Sequence, residues 1–289
     1  AEHIEEWNGI RIGIYERGPI SFRNNETVNF HGVTLYGRLP SVGQEFHRSY
    51  YARLDVIQCT DIKLVLPARK EIVENAFMDE LRTHISTIFY QLIKAAGPHS
   101  LSYDNFKRAA EFGIHLPPAA MQLRVFEPSH ADSDQNGYGK VEVIDADDVV
   151  FDSEGGAIEE QNLAFALSAQ RAETKLYDPK VGFEGYDWYD QLARVSVKGY
   201  RIIGDTDTVC VEPGKRHTMI ERPDQLEIHC TLSDAPLTEE WTLATDWLIF
   251  GEDDWGLDEV DIVVTKASKA TSADLVDFLE HALFNPSDD

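Results

Sequence analysis

The sequence predicts an α+β fold in two parts, on three observations. Between Ile10 and Leu66 apolar residues alternate in short runs broken by turn formers; from Phe77 to Ala96 they recur at three- and four-residue spacing; and after about residue 140 alternating runs return in a far more acidic segment. The first part therefore reads as short, mostly antiparallel strands followed by a long helix. The second reads as an acidic, mostly antiparallel sheet with flanking helices.

Ile10, Ile12 and Ile14 alternate with Arg11, Gly13 and Tyr15, and Glu16-Arg17-Gly18-Pro19 stops the run. That is a strand and a turn. Ile20-Ser21-Phe22, Val28-Asn29-Phe30 and Val33-Thr34-Leu35-Tyr36 follow, the last pair joined by His31-Gly32, so a meander of antiparallel strands is the economical reading. Ala52, Leu54 and Val56 alternate again, and Ile62 to Leu66 predicts a strand that Pro67 ends. From Asn75 the period changes. Phe77, Leu81, Ile85, Ile88, Leu92 and Ala96 share one helical face up to Gly97-Pro98. Asn75 is placed to accept from a free amide of the first turn, and Asp79 and Glu80 suit the positive end of the helix dipole. A shorter helix is expected from a Ser102 cap to a left-handed stop at Gly113.

In the second part a helix is expected around Gln161 to Arg171, and Tyr186, Trp188 and Tyr189 read as a corner of the core. Val195-Val197, Val209-Val211 and Leu226 to Leu232 alternate as strands, with turns at Pro213-Gly214 and Arg222-Pro223-Asp224. Glu239 to Phe250 fits both periods and is read as strand. Asp261 to Thr265 is a strand, and Leu275 to Leu283 an amphipathic helix with Thr271 and Asp274 at capping-box spacing.

The 289 residues make roughly two domain lengths at about 150 residues each. Charge places the join. Residues 1 to 129 carry 15 acids and 14 bases, while residues 130 to 289 carry 36 acids and 12 bases, or nearly all of the net charge of -25. Glu127 to Gly139, rich in Pro, Ser, Asp, Asn and Gly, is the expected linker, dividing a near-neutral domain at 1–128 from an acidic one at 140–289. The acidic part repels phosphate backbones, so nucleic-acid binding has no electrostatic basis there. A solubilising surface or a docking face for a basic partner does. No apolar run approaches the roughly 18 to 20 residues that cross a bilayer. Cys59, Cys210 and Cys230 form no paired-cysteine motif, which makes the reducing cytoplasm the expected compartment. No signal peptide is visible, and the start at Ala1-Glu2 admits a region preceding it.

The sequence lacks most familiar functional motifs. Gly214-Lys215 runs into Arg216 and lacks the earlier glycine of a phosphate loop, and no dinucleotide, serine-hydrolase or zinc-protease motif is present. No catalytic residue is assigned. Asp132-Ser133-Asp134-Gln135-Asn136-Gly137 matches the first half of a calcium loop, with oxygens of Asp132, Asp134 and Asn136 at alternate positions. Its second half fails, since Glu142 falls one place early and Lys140 sets a cation among the ligands. A linker turn is the reading, and a calcium-stabilised module its alternative.

Asp61 to Asn75, a strand ending in Pro67, then Arg69, Lys70 and a long helix, resembles the transducer module of the gyrase- and MutL-like (GHKL) ATPases over about residues 50–96. In that family a lysine after the proline reaches the γ-phosphate of ATP held by the neighbouring domain. Arg69 stands at the lysine's offset, with Lys70 next. An overlapping resemblance sets Glu71, Asn75 and Asp79 against the family's water-activating Glu, magnesium-holding Asn and a following Asp, here one place late. The resemblance implies a transducer-type and C-terminal region with no cofactor of its own, which meets ATP and magnesium on a missing N-terminal domain or a partner protein. Arg69 and Lys70 would contact phosphate; Glu71 and Asn75 belong to the alternative pocket within this chain. An acidic protein-interaction module with no nucleotide role is the competing expectation.

Overall fold

The computed structural model describes residues 1–17, 26–35, 38–65, 71–126, 140–152, 156–215, 222–234, 237–251 and 261–269. The expected strand at 20–22, the linker at 127–139 and the last helix at 275–283 lie outside the described residues. The chain is α+β, as its periodicities predict, and forms two compact units. One comprises Ala1–Ala120 with Val181–Tyr186, the other Met121–Lys180 with Asp187–Asp289.

The first unit opens with β1 (His3–Trp7) and β2 (Ile10–Arg17), joined by Asn8-Gly9. Both turn residues have positive φ, 48° and 76°, as a two-residue turn that follows the strand twist requires. Gly9 has a second reason to be glycine: a Cβ there would lie 2.6 Å from the Gln58 carbonyl oxygen. β3 (Thr27–Phe30) and β4 (Val33–Leu35) repeat the device through His31-Gly32. After β5 (Ser41–Val42) comes β6 (Ser49–Val56), and here the expected meander is corrected. β6 lies between β2 and β3, antiparallel to the first and parallel to the second, giving the order β1-β2-β6-β3-β4. Tyr50, Ala52, Leu54 and Val56 are buried along one face of β6, while the other face carries buried Tyr51 beside exposed Arg53.

Two helices follow. α1 (Ala76–Ala96) buries Met78, Leu81, Ile85, Ile88, Phe89 and Ile93 in one core with Ile10, Ile12, Ile14 and Leu54 of the sheet. Each such side chain contributes about 1.5–3 kcal/mol on full burial, so the helix is held by its apolar face. α2 (Tyr103–Glu111) is capped by Ser102, whose hydroxyl accepts from Asn105 N at 3.4 Å, and Gly113 beyond it has φ 74°. Tyr186 returns to this unit, donating to Leu101 O at 3.1 Å and packing on Tyr103 and Phe106.

The second unit pairs β7 (Gln122–Arg124) with β8 (Val141–Val143), then runs through β9 (Val149–Phe151), α3 (Ala157–Gln170) and β10 (Leu176–Tyr177). β10 and the start of β11 are both parallel to β9. A short α4 (Asp187–Asp190) precedes β11 (Arg194–Ile203), β12 (Thr208–Val211), β13 (Gln225–Asp234) and β14 (Leu237–Thr245), which are antiparallel neighbours. The sheet order is β10-β9-β11-β13-β14, with β12 beside β11. The stretch read as one strand to Phe250 divides at Asp246. β15 (Trp247–Phe250) leaves the sheet and pairs with β16 (Asp261–Val264). Buried Asn162 of α3 fixes β15 by binding both polar groups of Ile249, donating to its O and accepting from its N at 2.8 Å each.

Candidate functional site

The segment expected to carry function runs from Asp61 to Asn75, and its local structure differs from the expected strand. Among the described residues, Ile62 to Val65 joins no sheet. Lys63–Val65 instead pairs back on Glu71–Val73, with Val73 N donating to Lys63 O at 2.7 Å and Val65 N to Glu71 O at 2.9 Å. Ile62 is buried and Leu64 and Ile72 pack against the core, while Val65 and Glu71 are exposed. The isolated bridge has a sequence reason: only Ile62, Leu64 and Ile72 reach the core, too few side chains to hold a full strand. Arg69 and Lys70 lie outside the described residues, between the two exposed ends of this stem.

Asn75 is committed to the helix. Its Oδ1 accepts from Met78 N at 3.0 Å and its Nδ2 donates to Asp61 O at 3.0 Å. One side chain thus caps α1 and ties the start of the stem to it. Glu74 and Asp79 both pair with Arg82, so Asp79 is held on the outer face of the first turn. Glu71, Asn75 and Asp79 are therefore spread over stem, cap and helix face. Asp132, Asp134 and Asn136 lie outside the described residues. Among the described residues no group of three or more His, Cys, Asp and Glu is placed to hold a metal ion, and no helix is long and apolar enough to cross a membrane.

A second site in the same unit carries no sequence motif. A cavity of about 440 Å³ is lined by Glu16, Gln44, Phe46, His47, Arg48, Tyr50, Ile93, Ala96 and Pro98. Its loop is fixed from the far side. Ser100, itself buried, accepts Phe46 N at 2.9 Å on Oγ and Glu45 N at 2.9 Å on its carbonyl, and its own N donates to Gln44 Oε1 at 3.2 Å. Ser100 Oγ also shares a hydrogen bond with His47 Nδ1 at 2.8 Å, which leaves Nε2 as the ring nitrogen not used in this contact. Ser100 is 1% exposed, so this Ser–His pair is a staple and not a nucleophile with its base. At the rim Arg48 Nη1 donates to Glu16 Oε2 at 2.8 Å, which raises the guanidinium's affinity for its proton. Burial, and then the Glu16 carboxylate to which its hydroxyl donates, push Tyr50 above the ordinary phenol range.

Comparison with protein-family models, curated proteins and solved structures finds no match to this chain. No local spacing encodes the roles of Glu16, Arg48 and Ser100, whose contacts span 32 and 53 to 56 positions.

Proposed function

We propose that the chain is a non-catalytic, transducer-type and C-terminal region of a larger GHKL-like ATP-binding protein, lending Arg69 and Lys70 to phosphate charge held on another domain. The observation that carries this reading is the stem: Lys63–Val65 and Glu71–Val73 are hydrogen-bonded to each other, and Asn75 ties Asp61 to the cap of a 21-residue helix. A loop that meets an anion from outside needs fixed ends. A cation set in advance where charge develops is worth far more than a mobile one, because no reorganisation is required when the charge appears.

ATP and magnesium would then be cofactors of the assembly, with Glu71 exposed on the stem and Asn75 serving the helix. The test has two arms. Calorimetric titration of this chain alone with magnesium-ATP is expected to show no saturable binding, and micromolar affinity would move the nucleotide site into this chain. In an assembly that hydrolyses ATP, the double substitution Arg69→Ala and Lys70→Ala is expected to lower kcat by roughly 100-fold, the scale of a lost charge-stabilising group. Unchanged turnover there rejects the role.

Charge favours a second reading. Nearly all of the net charge lies after residue 129, and Asp145, Asp147, Glu173, Asp205, Glu239 and Glu240 are all exposed on the second unit. Such a surface attracts a basic protein at long range whether or not nucleotide is involved.

A further inference from the structure

The cavity beside β2 and β6 has two kinds of lining. Phe46, Ile93, Ala96 and Pro98 offer hydrocarbon and an aromatic face, whereas Glu16, Arg48, Tyr50 and His47 offer charge and hydrogen bonds. Its volume falls within the roughly 300–1,000 Å³ of small-molecule sites. It is also built in advance. Four hydrogen bonds tie Gln44–His47 to Ser100, and Gln44 Nε2 closes the loop on Arg48 O at 3.2 Å.

The charged groups decide what fits. Glu16 uses Oε2 for one nitrogen of Arg48, and Arg48 is 71% exposed on its side chain, so its other N–H groups remain accessible to an anion. Glu2 adds a second negative charge felt at both Arg48 and Tyr50. A phosphate dianion would meet Glu2 and Glu16 against a single guanidinium. A simple amine would satisfy Glu16 and leave Arg48 unused, and a simple carboxylate would do the reverse. A ligand with both charged groups on one carbon matches both without breaking the existing ion pair.

We propose that this cavity binds a free amino acid with an apolar side chain, its ammonium on Glu16, its carboxylate on Arg48 beside the His47 ring, and its side chain against Phe46, Ile93, Ala96 and Pro98. The site is independent of the stem and of any nucleotide. Apolar contact supplies affinity, and the paired charges supply orientation and selection against molecules carrying only one of them.

The test uses the whole chain and calorimetric titration with leucine and phenylalanine, and with isoamylamine and isocaproate as single-charge analogues of leucine. Saturable binding of leucine or phenylalanine with Kd below about 1 mM is expected, with each analogue at least about 10-fold weaker. Glu16→Gln and Arg48→Gln should each weaken amino-acid binding by about 10-fold or more, and Ala96→Trp, at an exposed position on the lip, should abolish it by filling the space. The proposal is overturned by an absence of saturation, by an analogue that binds as well as leucine, or by substitutions at Glu16 and Arg48 that leave affinity unchanged.

Discussion

Asn75 shows what a single residue can disclose in a sequence. A helix cap acts within one turn, so an Asn followed by a 3.6-residue apolar period is enough to place the start of α1 and a partner among its first amides, which the structure shows to be Met78 N. Ser102 was legible for the same reason. Asp178 was not, because what matters about it is burial. It is 7% exposed, directly after β10, and its Oδ2 meets no hydrogen-bond donor among the described residues. Burial pushes its carboxyl up to about 6, against the smaller opposing pull of Lys180 and Arg124. Because the folded pKa lies above the ordinary value of 3.8, the favourable neutral form is fully present below that value and is lost as pH rises through about 6. Asp178→Asn should therefore stabilise the protein at pH 8 by about 2–3 kcal/mol, the equivalent of two pKa units, and change little at pH 3.5. Denaturant titrations at the two pH values measure this, and a pH-independent difference would show that charge is not the cause.

Elements were legible where one periodicity ran unopposed and illegible where pairing decided. The 10–14 and 52–56 alternations identify strands, yet nothing local says that β6 separates β2 from β3; its two long-range pairings do that. His3–Trp7 went unread although Asn8-Gly9 is the turn dipeptide that best marks a hairpin. That edge strand is fastened by a contact across 79 positions, in which Glu5 Oε1 meets His84 Nε2 while its Oε2 meets His3 Nε2 at 2.9 Å, and Trp7 stacks on the His84 ring. Burial alone would raise the Glu5 pKa, but the hydrogen bonds from His3 and His84 and their charges together lower it below the ordinary 4.5. A depressed carboxylate stabilises above its unfolded pKa, and the contribution disappears as pH falls through the folded one. With side chains about 30% exposed the effect is small, roughly 0.5–1 kcal/mol after solvent screening. Glu5→Gln should lower Tm at pH 6 and have little effect near pH 3. A loss of equal size at both would assign Glu5 a packing role.

At the scale of the whole molecule, two separate apolar cores carry very different charge. The core around Ile10, Leu54 and Leu81 belongs to a nearly neutral segment, and the core around Leu167, Tyr200 and Leu243 to a strongly acidic one. This asymmetry needs only residue counting, so it was the most legible property of the chain, but composition does not say where the acids stand. The strands answer in part: Asp234, Glu239 and Glu240 are exposed on β13 and β14, with Glu239 and Glu240 paired in register to Leu232 and Thr231. A long-range field from such a surface extends about 30 Å at 0.01 M salt and about 8 Å at 0.15 M, so an association driven by it must weaken steeply over that range. Titration with a basic polypeptide such as polylysine should show this, with amide shifts confined to the second unit and absent from β2 and β6. Binding insensitive to salt, or shifts centred on the first unit, would mean that the acidic surface serves solubility and that a basic partner, if there is one, docks elsewhere.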